Sequence, residues 1–125
     1  MAYPGGGVNN DARVAKIIQN HTNIRYARAL ETTQSLTPSQ DLYRFRGTVY
    51  HHEEWEMMHE LADQFLTAEP DEPMLLYIWG HSYEFDIYPE RWSLFESFCK
   101  RIAGKADVFY GTNREVLLNS ENMLK

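Results

Sequence analysis

One stretch, Met74–Asp86, decides the fold of this chain, and its sequence is MLLYIWGHSYEFD. The first half is a continuous apolar run that follows Pro70 and Pro73. A run of this length between turn-forming residues is too short for a buried helix and predicts a strand covered on both faces. Gly80 ends the run, and five polar residues follow within six positions. Because α/β proteins carry their chemistry at the carboxyl ends of parallel strands, the pattern predicts a functional rim here.

His81 is the one side chain of this stretch that changes charge near neutral pH without help from its surroundings. At the end of a buried strand, beside a tyrosine and a glutamate, it is a candidate general acid or base. A second interpretation stays open, in which His81 caps the strand end and binds a neighbouring carbonyl group.

The composition limits the classes of protein that the chain can represent. Its 125 residues form one domain, residues 1–125, and 43% of them are hydrophobic, enough for a core. The net charge of −6 argues against a nucleic-acid partner or an anionic membrane. The single cysteine, Cys99, excludes an intrachain disulfide and is expected to be a small buried hydrophobe. With no visible signal peptide and no apolar run long enough to cross a bilayer, the expected location is cytoplasmic.

Apolar periodicity and turn residues divide the chain into alternating strands and helices. Strands are predicted at residues 1–3, 24–30, 42–49, 74–79 and 107–110, and helices at 11–20, 53–68, 89–103 and 112–124. The predicted apolar helix faces include Ile17 in the first helix, and Trp92 and Cys99 in the third. Alternation of this kind predicts an α/β fold with a mainly parallel sheet and covering helices.

Several chemistries are disfavoured by the sequence. The turn Pro4–Gly7 lacks the Lys-Ser/Thr of a phosphate-binding loop, so a glycine turn between strand and helix explains it better. His51 and His52 are adjacent on an extended segment and point to opposite faces, so they do not chelate one metal ion. Either one is a candidate pocket residue.

Aromatic side chains gather near the predicted strand ends. They either stack on sugar rings or pack loops onto the sheet, and both interpretations stay open. The residues are Tyr3, Tyr50, Trp79, Tyr83 and Tyr88.

Residues 75–86 resemble the last conserved block of the polysaccharide deacetylase (NodB-like) family, in which a Leu-rich strand delivers a histidine that acts as general acid. Residues 1–6 resemble the aromatic-Pro-x-Gly turn that lines the cleft of that family. The segments 24–29, 43–52 and 92–118 are similar to its later strands and closing helices. The resemblance therefore covers nearly the whole chain, but only the carboxyl-terminal half of the family's distorted (β/α) barrel.

The resemblance implies a hydrolase that removes N-acetyl groups from carbohydrate with the help of a divalent metal such as zinc. It implies that His81 is the catalytic acid. It further implies a set of residues that bind the N-acetylated sugar: Tyr3, Pro4, Gly6, His51, His52, Trp79, Tyr83 and Glu84.

The sequence departs from the family in one respect that matters for activity. The family's metal ligands, an aspartate and two histidines, and its aspartate base belong to the amino-terminal half, and the Asp-Asp-Gly and His-x-x-x-His signatures are absent here. We therefore expect this chain alone to bind no metal and to be inactive. The alternative is a non-catalytic carbohydrate-binding or assembly module. Because a half-barrel leaves strand edges and an apolar inner face open, we also expect a homodimer.

Overall fold

Five short segments of the chain run parallel in the computed structural model, which describes residues 1–119, and four of them pair into two two-stranded sheets. The first is Met1–Tyr3, where Ala2 bridges to Arg28. The strands that follow are β1 (Arg28–Thr32), β2 (Phe45–Gly47), β3 (Val49–Tyr50) and β4 (Ile78–Trp79).

The spatial order of the parallel segments follows their order in the chain. β1 pairs with β2, and β3 pairs with β4. Only Thr48 separates β2 from β3, and its amide donates a hydrogen bond of 2.8 Å to the Tyr77 carbonyl. Since all pairings are parallel, the carboxyl ends of the segments lie at one edge. The predicted mixed α/β class with parallel strands is confirmed.

Helices occupy the predicted intervals, with one addition. They are α1 (Ala12–His21), α2 (Trp55–Thr67), α3 (Glu84–Ile87), α4 (Glu90–Ile102) and α5 (Asn113–Leu118), and short 3-10 turns cover Gly7–Asn10 and Leu42–Arg44. The one-turn helix α3 was not predicted. The last helix was predicted to reach residue 124, but residues 120–125 lie outside the described part of the chain. No helix within residues 1–119 is long and apolar enough to cross a bilayer.

Side-chain caps explain where two of the helices begin. The Asp11 carboxylate accepts hydrogen bonds of 2.9 and 3.0 Å from the amides of Arg13 and Val14 at the start of α1. Thr112 and Glu115 form a capping box at the start of α5, each side chain accepting from the other residue's backbone amide.

The core lies between β3, α2 and α4. Its buried residues are Val49, Met58, Leu61, Ala62 and Phe98. Met58 and Ala62 have no exposed surface and lie four positions apart, so α2 directs the predicted apolar face toward the sheet. Burying a methionine side chain such as that of Met58 stabilises the fold by about 1.5–3 kcal/mol.

The strand predictions were wrong in extent or in kind at several places. Residues 42–44 of the strand predicted over 42–49 form a 3-10 turn, and residues 1–3 contribute only the bridge at Ala2. The strand predicted from residue 24 begins at Arg28, and residues 107–110 form no strand. Of residues 74–79 only Ile78 and Trp79 join the ladder, and none of the six is buried. The cause is the position of this segment: one side pairs with β3, while the other lines an open groove of about 900 Å³.

The predicted helix faces were too wide. Ile17 is 58% exposed and Trp92 is 61% exposed, and the thiol of Cys99 is exposed rather than buried. α1 packs mainly against the two short 3-10 turns, and α4 meets α2 and the one-turn helix α3. Elements this short cover only part of an apolar helix face, so its flanks remain in solvent.

Candidate functional site

Two histidines meet where β3 and β4 end. His51 follows β3, and its amide donates a hydrogen bond of 3.0 Å to the carbonyl of Trp79, the last residue of β4. His81 follows β4 after Gly80. The parallel pairing of the strands brings these two ends to the same edge, as we predicted for His81.

The carboxylate of Glu84 joins these groups. It accepts a hydrogen bond of 2.9 Å from the His81 amide and a second from the Tyr50 hydroxyl. Nδ1 of His81 lies 3.2 Å from Oε1, and Nε2 of His51 lies 3.4 Å from Oε2. The Glu84 side chain is only 3% exposed. A buried carboxylate is costly unless donors surround it, and here four donor atoms converge on its two oxygens.

The short spacing of the two residues in the sequence explains the contacts between His81 and Glu84. Glu84 stands three residues after His81, and its own amide donates to the His81 carbonyl at 3.2 Å, which closes a tight turn at the start of α3. The carboxylate then reaches back to the His81 amide in the manner of a capping box. The spacing of His81 and Glu84 alone therefore brings them together.

The lack of a side chain at Gly80 leaves space for His51 to approach Glu84. A Cβ atom at position 80 would lie 1.9 Å from Nε2 of His51 and would overlap the imidazole ring. Only a residue without a side chain lets the ring reach Glu84 beneath the strand end. This close approach, rather than an unusual backbone angle, explains the glycine.

His51 is a neutral, buried ring. Burial lowers its pKa, and the charges of His52, Arg91 and His81 lower it further. It stacks on Phe85 at 5.0 Å between ring centroids. Because a carboxylate only accepts hydrogen bonds, the ring carries its proton on Nε2, toward Glu84. Nδ1 is buried and has no hydrogen-bond partner among the described residues.

His81 has the opposite character. Its side chain is 44% exposed, and its ring stacks against Tyr83 with centroids 5.2 Å apart. The carboxylate on Nδ1 selects the tautomer and the orientation of the ring. Within residues 1–119 no hydrogen bond engages Nε2, and with the side chain 44% exposed this nitrogen is the one available to a bound molecule.

Trp79 forms the wall beside His81. Tyr50 stacks on its ring at 4.4 Å with planes 11° apart, and the Arg28 guanidinium lies over the ring at 4.0 Å from its centroid. Two groups this close to one centroid must occupy opposite faces of the indole. A sugar would therefore meet the edge of Trp79, not its face.

Other predicted substrate residues occupy varied surroundings. Tyr3 is 4% exposed, and its hydroxyl donates to the Tyr43 carbonyl at 2.7 Å, so it offers a ligand almost no surface. Pro4 is exposed and Gly6 is half-buried in the turn after the first segment. The His52 carbonyl accepts a hydrogen bond of 2.8 Å from Arg91. Residues 51 and 52 lie in a turn and not in the predicted extended segment, and their rings contact different neighbours, Phe85 for His51 and Tyr88 for His52.

Glu84 differs most from its predicted role. It was predicted to bind sugar, yet its carboxylate is buried below the rim and accepts from protein donors. Its position suits a residue that orients His81. With 2% of its surface exposed, it has little surface to offer a ligand in this arrangement.

One residue of the site was missed, and the role of another was not predicted. Tyr50 was named only among the strand-end aromatics, and the structure shows that its hydroxyl reaches Glu84 and that its ring stacks on Trp79. Arg28 lies over Trp79, and its signal was strand alternation. Ala27 and Ala29 are buried, so the residue between them points to the other face of the sheet.

Comparison of the chain with protein-family models, curated proteins and solved structures found no match. Within residues 1–119, no three or more His, Cys, Asp or Glu side chains are arranged to hold a metal ion. The nearest set, His51, His81 and Glu84, directs its ring nitrogens at the carboxylate itself. These residues do not fit a metal site as they stand.

Proposed function

We propose that the chain supplies the acid half of a carbohydrate N-deacetylase of the polysaccharide deacetylase type, with His81 as the general acid. The observation that carries the proposal is the pairing of an exposed histidine with a buried carboxylate at a strand end. General acids need a proton held at a defined atom, and a carboxylate on Nδ1 leaves Nε2 for that task.

In this proposal water adds to the acetyl carbonyl carbon, and its proton goes to the base that the family carries in its amino-terminal half. The doubly protonated ring of His81 then donates its Nε2 proton to the amide nitrogen as the C–N bond breaks, which releases acetate and the amine. Glu84 keeps the ring in position through Nδ1, and Tyr50 and His51 keep the carboxylate in position. Tyr83, stacked on His81 and 56% exposed, offers an amphipathic surface for a sugar ring. The family's metal has no step here, because the described residues do not fit one.

The test uses the polypeptide together with whatever the same reading frame encodes upstream of residue 1. Amine release from the N-acetylglucosamine tetramer should fall about 10²- to 10⁴-fold in His81→Ala, the usual contribution of a positioned acid. Ser82→Ala, at an exposed neighbour, should keep the wild-type rate. Equal rates for wild type and His81→Ala would refute the assignment. For residues 1–125 alone we expect no amine release and no submicromolar Zn²⁺ binding by calorimetry.

A second candidate function, a non-catalytic binding or assembly module, has support of its own. The groove beside β4 is lined by apolar side chains such as Leu75, Ile78, Phe109 and Val116. Covering such a surface would favour a twofold homodimer. Light scattering over a dilution series tests this: a dimer at micromolar concentration favours the module, and a monomer at all concentrations contradicts the dimer.

A further inference from the structure

Arg28 is a half-buried cation with unused hydrogen-bonding capacity. One of its N–H groups donates to the Ala29 carbonyl at 2.8 Å. Within residues 1–119 no carboxylate lies within ion-pair distance of it, and its other N–H groups have no acceptor. Burial lowers the pKa of its guanidinium, because a charge removed from water is destabilised. A bound anion would offset that cost.

The position of the guanidinium is fixed before any ligand arrives. It lies over one face of Trp79, and the other face of the same indole is covered by Tyr50. A cation held over an aromatic ring loses little freedom on binding. Its planar fork of N–H donors matches the two oxygens of a carboxylate better than it matches a hydroxyl group.

Arg28 also lies beside the proposed acid. The Trp79 ring, which Arg28 covers at 4.0 Å, lies 5.9 Å from the His81 ring between centroids. Arg28 therefore covers one face of the indole, while His81 lies at the edge of the ring, beside Tyr50 as well. A molecule that spans the edge of Trp79 would contact both groups.

We propose that Arg28 forms a carboxylate-binding subsite and that the substrate is an N-acetylated amino sugar carrying a carboxylate, as in a uronic acid. The proposal rests on the function proposed above and adds the substrate class to it. An acidic side chain from another polypeptide segment is the competing occupant, and the test separates the two.

The probes are N-acetylglucosaminuronic acid and N-acetylglucosamine, which differ only in the oxidation of C6. Titration of the ¹⁵N-labelled chain, followed by NMR at low salt, gives both dissociation constants. We expect the acid to bind roughly tenfold more tightly, the effect of one added charge-assisted hydrogen-bonded pair. Arg28→Gln should abolish the preference. Arg25→Gln, at an exposed arginine three residues earlier, should keep it.

Each other outcome counts against the proposal in a different way. Equal affinity of the wild-type chain for both sugars overturns the subsite and leaves the deacetylase proposal intact, since the neutral sugar still binds. Failure of both sugars to bind overturns both proposals. Arg28-dependent binding of an aspartate-containing peptide, as tight as that of the acidic sugar, overturns the sugar assignment and favours a polypeptide occupant.

Discussion

Replacing Glu84 with glutamine tests whether one buried carboxylate organises the rim. The substitution keeps the shape of the side chain and replaces one oxygen with an NH₂ group. Glu84 accepts from the His81 amide at 2.9 Å and from the Tyr50 hydroxyl, and His51 Nε2 approaches it at 3.4 Å. Nδ1 of His81 lies 3.2 Å from the same oxygen, Oε1, as the Tyr50 hydroxyl. An NH₂ group at Oε1 would force this hydroxyl and this ring to change from donor to acceptor, and an NH₂ group at Oε2 would face the His81 amide, which only donates.

The size of the effect follows from two opposing terms. Glutamine retains one acceptor oxygen with its two contacts, but the carboxylate charge is lost. A hydrogen bond to a charged group contributes about 1.5–3 kcal/mol, against about 0.5–1.5 kcal/mol for a neutral one. A neutral amide is less costly to bury than a carboxylate, which offsets part of that loss. The loss prevails because several hydrogen bonds to one charged acceptor are weakened together. We expect the free energy of unfolding to fall by about 2 kcal/mol, a large share of the roughly 5–15 kcal/mol of a typical domain.

Urea unfolding followed by tryptophan fluorescence measures this change. With a slope of about 1–3 kcal/mol per molar urea, the midpoint of Glu84→Gln should drop by about 1 M. The matched control is Glu96→Gln, on the exposed surface of α4, where Glu96 pairs with Lys100 at 2.8 Å. It should leave the midpoint unchanged. If the two variants unfold at the same urea concentration, Glu84 does not hold the rim together.

Two further predictions concern the same rim. The folded chain should lose stability as the pH falls below about 6.5, because burial lowers the pKa of His51 and only the unfolded chain then gains the proton. In urea titrations at several pH values, His51→Gln should weaken this pH dependence of stability. Part of the pH dependence should persist, because burial also lowers the pKa of His59. An unchanged pH dependence would contradict the role given to His51. Gly80→Ala should cost about 1–3 kcal/mol, since its Cβ would lie 1.9 Å from His51 Nε2. If Gly80→Ala unfolds at the same temperature as the wild type, the His51 ring has room to move and this explanation of the glycine is wrong.

Local signals in the sequence determined the helices and part of the site. Asp11 at the start of α1 and the Thr112 and Glu115 pair at the start of α5 act within one turn, so adjacent residues suffice to predict them. The same holds for His81 and Glu84, which are three residues apart. In each case the hydrogen-bonding partners are neighbours in the chain, and no distant segment is needed.

The tertiary structure alone decided which groups surround the Glu84 carboxylate. Tyr50 and His51 precede it by more than thirty residues, and only the parallel pairing of β3 with β4 brings them there. The pairing of strands also decided which residues are buried. Residues 74–79 are apolar enough for an interior strand, yet they line an open groove at the edge. Apolar composition shows which side chains water disfavours. Whether they are covered depends on which segments lie beside them, and that depends on contacts distant in the chain.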